Sequence, residues 1–217
     1  MLDTQNKTKQ KIKIGVLGSV FNPPHFGHLL LAKTALQKFN LSKVLLMVCA
    51  LPPIYKKDLA PLKHRTQMAY LLAQYDEHFE VSDLEIKRAC YNKKSYTLDT
   101  YKELQQLYSD AEIYWIIGQD TLDAILSGRW KRGSKGIIIL LSQIKFIVST
   151  RQGYQKKYKL HSCPTKIQKL VSNIKRINVL SPISSTLIRD KIKHHENIQK
   201  LVPYEIANYI EQHKLYR

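Results

Sequence analysis

The stretch KIKIGVLGSVFNPPHFGHLLLAK, Lys11 to Lys33, constrains this chain more than any other. Ile12, Ile14, Val16 and Leu17 are continuously apolar rather than alternating, the pattern of a parallel strand buried on both faces. Gly18 ends the strand, a turn of Gly, Asn and Pro follows, and helical periodicity begins at about His28. A strand, loop and helix in this order aims unpaired backbone N–H groups at the space above the strand's carboxyl end, so an anion is the expected guest. His25 and His28 flank that spot, and Gly27 between them lets a ligand approach the backbone. Imidazoles at a helix start suit the charge that builds up on a transferring phosphoryl group. A dinucleotide fingerprint would need Gly at Val20, and there is no Gly-Lys-Ser run. Zinc would need a third or fourth ligand at metal spacing, which the surrounding sequence lacks.

The rest of the chain repeats the strand-to-helix grammar. Lys43 to Val48 is a second apolar strand, leading into PPIYKK, where the prolines place Tyr55, Lys56 and Lys57 on a stiff loop. Leu62 to Tyr75 reads as an amphipathic helix with His64, Arg65 and Gln67 on its polar side, and Phe79 to Ile86 as a strand. A helix from about Leu98 to Leu107 follows, with Thr97 as N-cap and Tyr101, Leu104 and Leu107 packing; Ser95, Tyr96 and Thr97 precede it as ligand candidates. EIYWIIGQD carries a strand to Ile117, then Gly118, then a helix start with Asp120, a carboxylate placed either to accept from sugar hydroxyls or to cap the helix. Trp130 stands among basic residues, where its face could stack on a flat ligand. The runs Gly136 to Leu141 and Ile144 to Val148 leave open which is strand, and a helix is expected around Ile167 to Val171. Ile177 to Leu180 closes the sheet, and Ser184, Ser185 and Thr186 precede a helix carrying Arg189, which makes a second phosphate seat. The tail helix has Pro203 at its first turn and buries Val202, Ile206, Tyr209 and Ile210.

Composition bounds the answer. With 217 residues, 44% hydrophobic, one α/β domain over 11–217 is expected after a disordered polar segment, 1–10. Cys49, Cys90 and Cys163 are too few and scattered for a disulfide framework. The polar MLDTQNKTKQ start has no apolar signal core and no apolar run nears the about 18 residues of a membrane span, so a cytoplasmic location without membrane attachment is expected. A net charge of +18, from 35 Lys and Arg against 17 Asp and Glu, favours phosphate-bearing ligands. It also keeps a basic nucleic-acid-binding module as the rival of a different class, YQKKYK included, although specific nucleic-acid binding is not expected.

HFGH, His25 to His28, and ISSTLIR, Ile183 to Arg189, resemble the two signatures of the HxGH and ISSTxxR nucleotidyltransferases. With SYTLDT, IGQD, the following tryptophan, the arginine-glycine turn near Arg151 and the LVP to LY tail in order, the chain is similar to the bacterial nicotinate-nucleotide adenylyltransferases from Lys11 nearly to its end. The resemblance implies a Rossmann-like doubly wound parallel sheet with helices on both faces. It implies transfer of the adenylyl group of ATP, with Mg²⁺ carried by the ATP phosphates and no protein-held metal, to nicotinate mononucleotide. The products would be deamido-NAD and pyrophosphate, in NAD biosynthesis. His25, His28 and Arg189 would be catalytic. Gly18, Ser19, Phe21, Asn22, Gly27, Gly118, Asp120, Ser184, Ser185 and Thr186 would meet ATP. Lys56, Ser95, Tyr96, Thr97, Trp130 and Arg151 would meet the mononucleotide. Homodimerisation is left open, as is nicotinamide mononucleotide or another phosphorylated acceptor. The chain departs from the family pattern at Ser19, Val20, Asn22 and Ile54, usually Gly, Thr or Ser, Asp and His.

Overall fold

A computed structural model describes residues 11–54, 58–127, 133–151, 160–179 and 181–217. Lys56 and Trp130 lie outside these, as do residues 1–10, and of Arg151 only the strand position is described. Along the chain run β1 (Ile12–Ser19), α1 (Phe26–Lys38), β2 (Lys43–Val48), α2 (Leu62–Ala73) and β3 (Phe79–Ser82). Then follow α3 (Leu84–Ala89), α4 (Thr97–Leu107), β4 (Ala111–Gly118), α5 (Gln119–Leu126) and α6 (Gly133–Gln143). The chain ends with β5 (Lys145–Arg151), α7 (Thr165–Ser172), β6 (Lys175–Val179), α8 (Ser185–Lys193) and α9 (Tyr204–Gln212).

The described strands form one parallel sheet in the order β3-β2-β1-β4-β5-β6. From β1 the chain winds outward through β2 and β3, then returns to lay β4 on the other side of β1. The crevice at the carboxyl ends of β1 and β4 is therefore the switch point at which such sheets bind ligands. Alternate residues of each strand feed two cores. Ile14, Val16, Leu45, Met47, Trp115 and Ile117 pack under α4 to α7, while Leu17, Val44, Leu46 and Ile116 pack under α1, α2, α8 and α9. Burial on both faces is why these strands read as unbroken apolar runs. Among the described residues no helix is long and apolar enough to cross a membrane.

Several local expectations need correction. The expected strand Phe79 to Ile86 stops at Ser82, because Asp83 turns the chain into α3, held by the Lys87 amide on Asp83 O at 2.8 Å. The short apolar run had no length to decide between the two periods. Gly136 to Leu141 is helix, burying Ile137, Leu140 and Leu141 at helical spacing, and Ile144 to Val148 supplies the strand. Thr97 is the first residue of α4 rather than its cap; Tyr96 takes that position without a side-chain bond. Leu107 is 65% exposed, since the stripe through Leu98, Tyr101 and Leu104 continues to the half-buried Tyr108. Pro203 caps α9 rather than opening it, and Tyr209 is only half-buried.

Candidate active site

The first loop is built for proximity. Asn22 and Pro23 are joined by a cis peptide, and Phe21, fully buried, sits at φ 49°, a left-handed conformation that bulky residues rarely adopt. His25 is the N-cap of α1: its Nδ1 accepts from the Gly27 amide at 3.1 Å. A neutral ring accepting at Nδ1 carries its proton on Nε2, so His25 can present a donor there. The His25 ring is 2% exposed and stacks on His28 with centroids 3.9 Å apart. His28 Nε2 lies 3.1 Å from Ser19 Oγ, and Phe21 supports its ring at 5.1 Å. Ser19 thus supplies His28 with a hydroxyl at a position where the family pattern has glycine. Phe21 can offer a ligand only its backbone.

The start of α8, expected as a second phosphate seat, docks directly onto this loop. Ser184 caps α8, accepting from the Leu187 amide at 3.2 Å. Ser185 Oγ donates to Pro23 O at 2.8 Å, Arg189 Nη1 donates to Asn22 O at 2.8 Å, and Arg189 Nη2 reaches Thr186 Oγ1 at 3.4 Å. The starts of α1 and α8 therefore share one loop, and two fields of helix N–H groups with two histidines and a guanidinium are brought together. Asn22 explains itself in the same place. Its amide donates to Asp58 O at 2.9 Å, and its Oδ1 accepts from the Ala60 amide at 2.9 Å and from Tyr216 Oη at 3.0 Å. An aspartate could not make the first of these bonds. The Asn22 side chain is thus committed to the protein, and its carbonyl accepts from Arg189. Burial raises the Tyr216 phenol well above its ordinary pKa, keeping it a donor.

At the mouth of β4, Gly118 precedes α5, and a Cβ there would stand 2.3 Å from Asp120 Oδ1. Asp120 is exposed in the first turn and α5 has no side-chain cap, so the capping alternative for Asp120 is not realised. Between the carboxyl ends of β1 and β4 opens a small cleft lined by Gly27, Leu31, Gly118, Ser149, Val179, Ser181 and Ile183. Ser149 and Ser181 escaped the sequence reading; small polar residues at strand ends were their only signal. Gln119 was missed too: buried, it accepts from Arg176 Nη1 at 3.0 Å and donates to Asp123 at 2.8 Å, which fixes the start of α5.

On the other side of β1, Ser95 is buried. Its amide donates to Leu51 O at 2.8 Å and its Oγ accepts from the Leu51 amide at 3.3 Å, while the Tyr96 amide donates to Lys94 O at 3.1 Å. What this segment can offer is therefore the amides of Thr97 and Leu98 at the start of α4, since those of Asp99 and Thr100 already donate to Tyr96 O at 3.1 Å. Arg65, expected on the polar side of its helix, is 2% exposed. It shares the buried stripe of Met68, Ala69 and Leu72, at spacings of three, four and seven that were legible in the sequence. Its guanidinium donates to the carbonyls of Ala60, Val20, Cys49 and Ala50 at 3.0, 3.1, 2.7 and 2.9 Å. Glu85, also buried, accepts from Thr100 Oγ1 at 2.7 Å; burial raises its pKa, and Ser95, Thr100, Arg88 and the Ala50 amide pull it partway back.

A Rossmann-ordered sheet whose switch point gathers paired histidines, an arginine and two helix starts defines a nucleotide-binding α/β protein of nucleotidyltransferase type. Comparison agrees: a cytidylyltransferase-like family model matches residues 16–191. A Carboxydothermus hydrogenoformans protein named "Probable nicotinate-nucleotide adenylyltransferase" is 36% identical over 94% of this chain and 98% of its own length. A Thermoanaerobacter protein of the same name is 33% identical over 96% of both chains. The solved Plasmodium falciparum nicotinic acid mononucleotide adenylyltransferase complexed with NaAD superposes with a TM-score of 0.71 at 18% identity, over 94% of this chain and 97% of that one. The same enzyme complexed with APC gives 0.69 at 17% identity, over 95% and 98%. This chain belongs to the nicotinate-nucleotide adenylyltransferase family.

Proposed function

We propose that this protein transfers the adenylyl group of ATP to nicotinate mononucleotide, releasing pyrophosphate and leaving deamido-NAD, in cytoplasmic NAD biosynthesis. The observation that carries the reading is the docking of α8 on the first loop, Ser185 on Pro23 and Arg189 on Asn22, which joins both phosphate-binding elements. An oxygen of the mononucleotide's 5′-phosphate attacks the α-phosphorus in line, and the bond from that phosphorus to the bridging oxygen breaks with its electron pair leaving on pyrophosphate. The attacking phosphate is already ionised near neutral pH, its second pKa being about 6, so no general base is required. Catalysis is alignment plus stabilisation of charge on the equatorial and leaving oxygens. His25 Nε2–H, His28, Arg189 and the amides at the starts of α1 and α8 supply it. Mg²⁺ enters with ATP as part of the substrate. Adenosine occupies the cleft beside Gly118 and Ser181, with Asp120 at the ribose, and the nicotinate carboxylate meets the first-turn amides of α4.

The test is pyrophosphate release from Mg-ATP with each mononucleotide in turn. The acid ring should be preferred, because a nicotinamide N–H₂ would face amide donors; the expected kcat/KM ratio is about 10²-fold or more. Comparable values for the two substrates would assign a dual-specificity enzyme instead.

A further inference from the structure

Two buried, oppositely charged side chains flank the peptides that leave β2, and nothing in the phosphoryl chemistry uses either. Arg65 grips the Cys49 and Ala50 carbonyls. Both peptides are trans, so their N–H groups point away from Arg65. On that far side the Leu51 amide meets Ser95 Oγ, and the Ala50 amide faces the Glu85 carboxyl. Cation, carbonyl, amide and anion thus lie in series, with peptide dipoles oriented favourably to both charges. Glu85 also holds Thr100 of α4, whose hydroxyl accepts from Arg88 Nη1 at 2.9 Å. Ser95 and the Ala50 amide also act on this carboxyl, whose Oε2 makes no bond of ordinary hydrogen-bond geometry.

We infer that Glu85 is a positioning residue for the acceptor side of the site: with Arg65 opposite, it sets the tilt of the Cys49 to Leu51 peptides and ties them to the start of α4. This rests on the proposed function for what the acceptor is. Peptides 49–51 lead into the Pro52–Pro53 loop and α4 offers the amides for the pyridine carboxylate, so both walls of that subsite hang on one carboxyl. The ATP loop touches the same peptides, through Arg65 on Val20 O and the Cys49 amide on Ser19 O at 2.8 Å, but it has further anchors of its own in Asn22, Ser185 and Arg189.

Glu85→Gln keeps the shape but, with its oxygen on Thr100, turns an N–H₂ toward the Ala50 amide. The expected result is a KM for nicotinate mononucleotide raised about 10-fold, with the KM for ATP within about twofold of the parent and kcat less affected. A loss of stability alone would lower the active fraction and leave both KM values in place. Thr100→Val should shift the same KM, and it carries the test if Glu85→Gln does not fold. Backbone hydrogen exchange gives a second readout that needs no turnover: the Ala50 and Leu51 amides should exchange faster in the variant while β1 amides do not. An unchanged mononucleotide KM, a parallel rise in the ATP KM, or unchanged exchange at those amides overturns the positioning role. Absence of pyrophosphate release from the parent enzyme with accelerated exchange in the variant would overturn the proposed function and leave the clamp standing.

Discussion

Replacing Gly27 by alanine should separate catalysis from stability. A Cβ at Gly27 would lie 2.8 Å from His25 Nδ1, 2.9 Å from His25 Cε1 and 3.1 Å from Ser181 Oγ, where ordinary contact begins at 3.4 Å. The imidazole must therefore retreat by about 0.6 Å. It has no free side to retreat to: it is 2% exposed and lies against His28, so the push moves both rings off the positions that Ser19 and the Gly27 amide give them. Overpacking of this size costs about 1–3 kcal/mol, and alanine returns about 1 kcal/mol in a helix. The net loss of about 0–2 kcal/mol should lower Tm by no more than about 8 °C in a chain of this size. Displacing aligned catalytic groups by a fraction of an ångström up to an ångström costs far more in rate, about 10²-fold in kcat/KM for ATP. Pyrophosphate release and thermal melting on one preparation read both quantities. A folded Gly27→Ala enzyme with kcat/KM within about threefold of the parent would refute the argument that the histidine pair is held by this contact.

Arg65→Met should behave in the opposite way, losing stability first. Four carbonyls from two loops, two of them in buried and two in part-buried bonds, lose their guanidinium donor; leaving a buried acceptor unsatisfied costs about 1–3 kcal/mol, so a total loss of about 3 kcal/mol or more is expected. Urea unfolding reads this through the midpoint, and a loss below about 1 kcal/mol would mean that water replaces the guanidinium. The third prediction concerns pH. Desolvation first, then the charges of Lys63 and His213, hold His64 below its ordinary value of 6.5, in keeping with a neutral ring that bonds Tyr209 Oη at 2.9 Å. The unfolded chain takes the proton first as pH falls through 6.5, so the His64 contribution is complete above that value and is lost from there downward to its lowered folded value. Tm should therefore fall less in His64→Gln than in the parent between about pH 7.5 and 5.5. Parallel Tm profiles would exclude His64 from the α2 to α9 contact as a titrating group.

Much of this protein was determined by local sequence. Unbroken apolar runs at Ile14 to Leu17, Lys43 to Val48 and Ile113 to Ile117 specify strands covered on both faces, because a solvated face would require polar alternation. Gly18, Gly27, the two histidines, and the serines before Arg189 specify helix starts adapted to phosphate, because turn and capping chemistry is decided by neighbours a few residues apart. Where local patterns were short or mixed the reading failed, as at Asp83, where a strand became a helix. The tertiary structure alone decided what lies between distant parts. Ser185 and Arg189 meet carbonyls 162 and 167 residues earlier in the chain, and only the return of the sheet past β1 brings them there. Asn22 looked like the loss of a carboxylate until Asp58, Ala60 and Tyr216 converged on its amide. Arg65 reads as a solvent-facing charge and Glu85 as no more than a residue near a strand's end, because a charged side chain is buried only where other chain segments supply its hydrogen bonds. Those partners, the carbonyls of Val20, Cys49, Ala50 and Ala60 and the hydroxyl of Thr100, converge only once the fold exists.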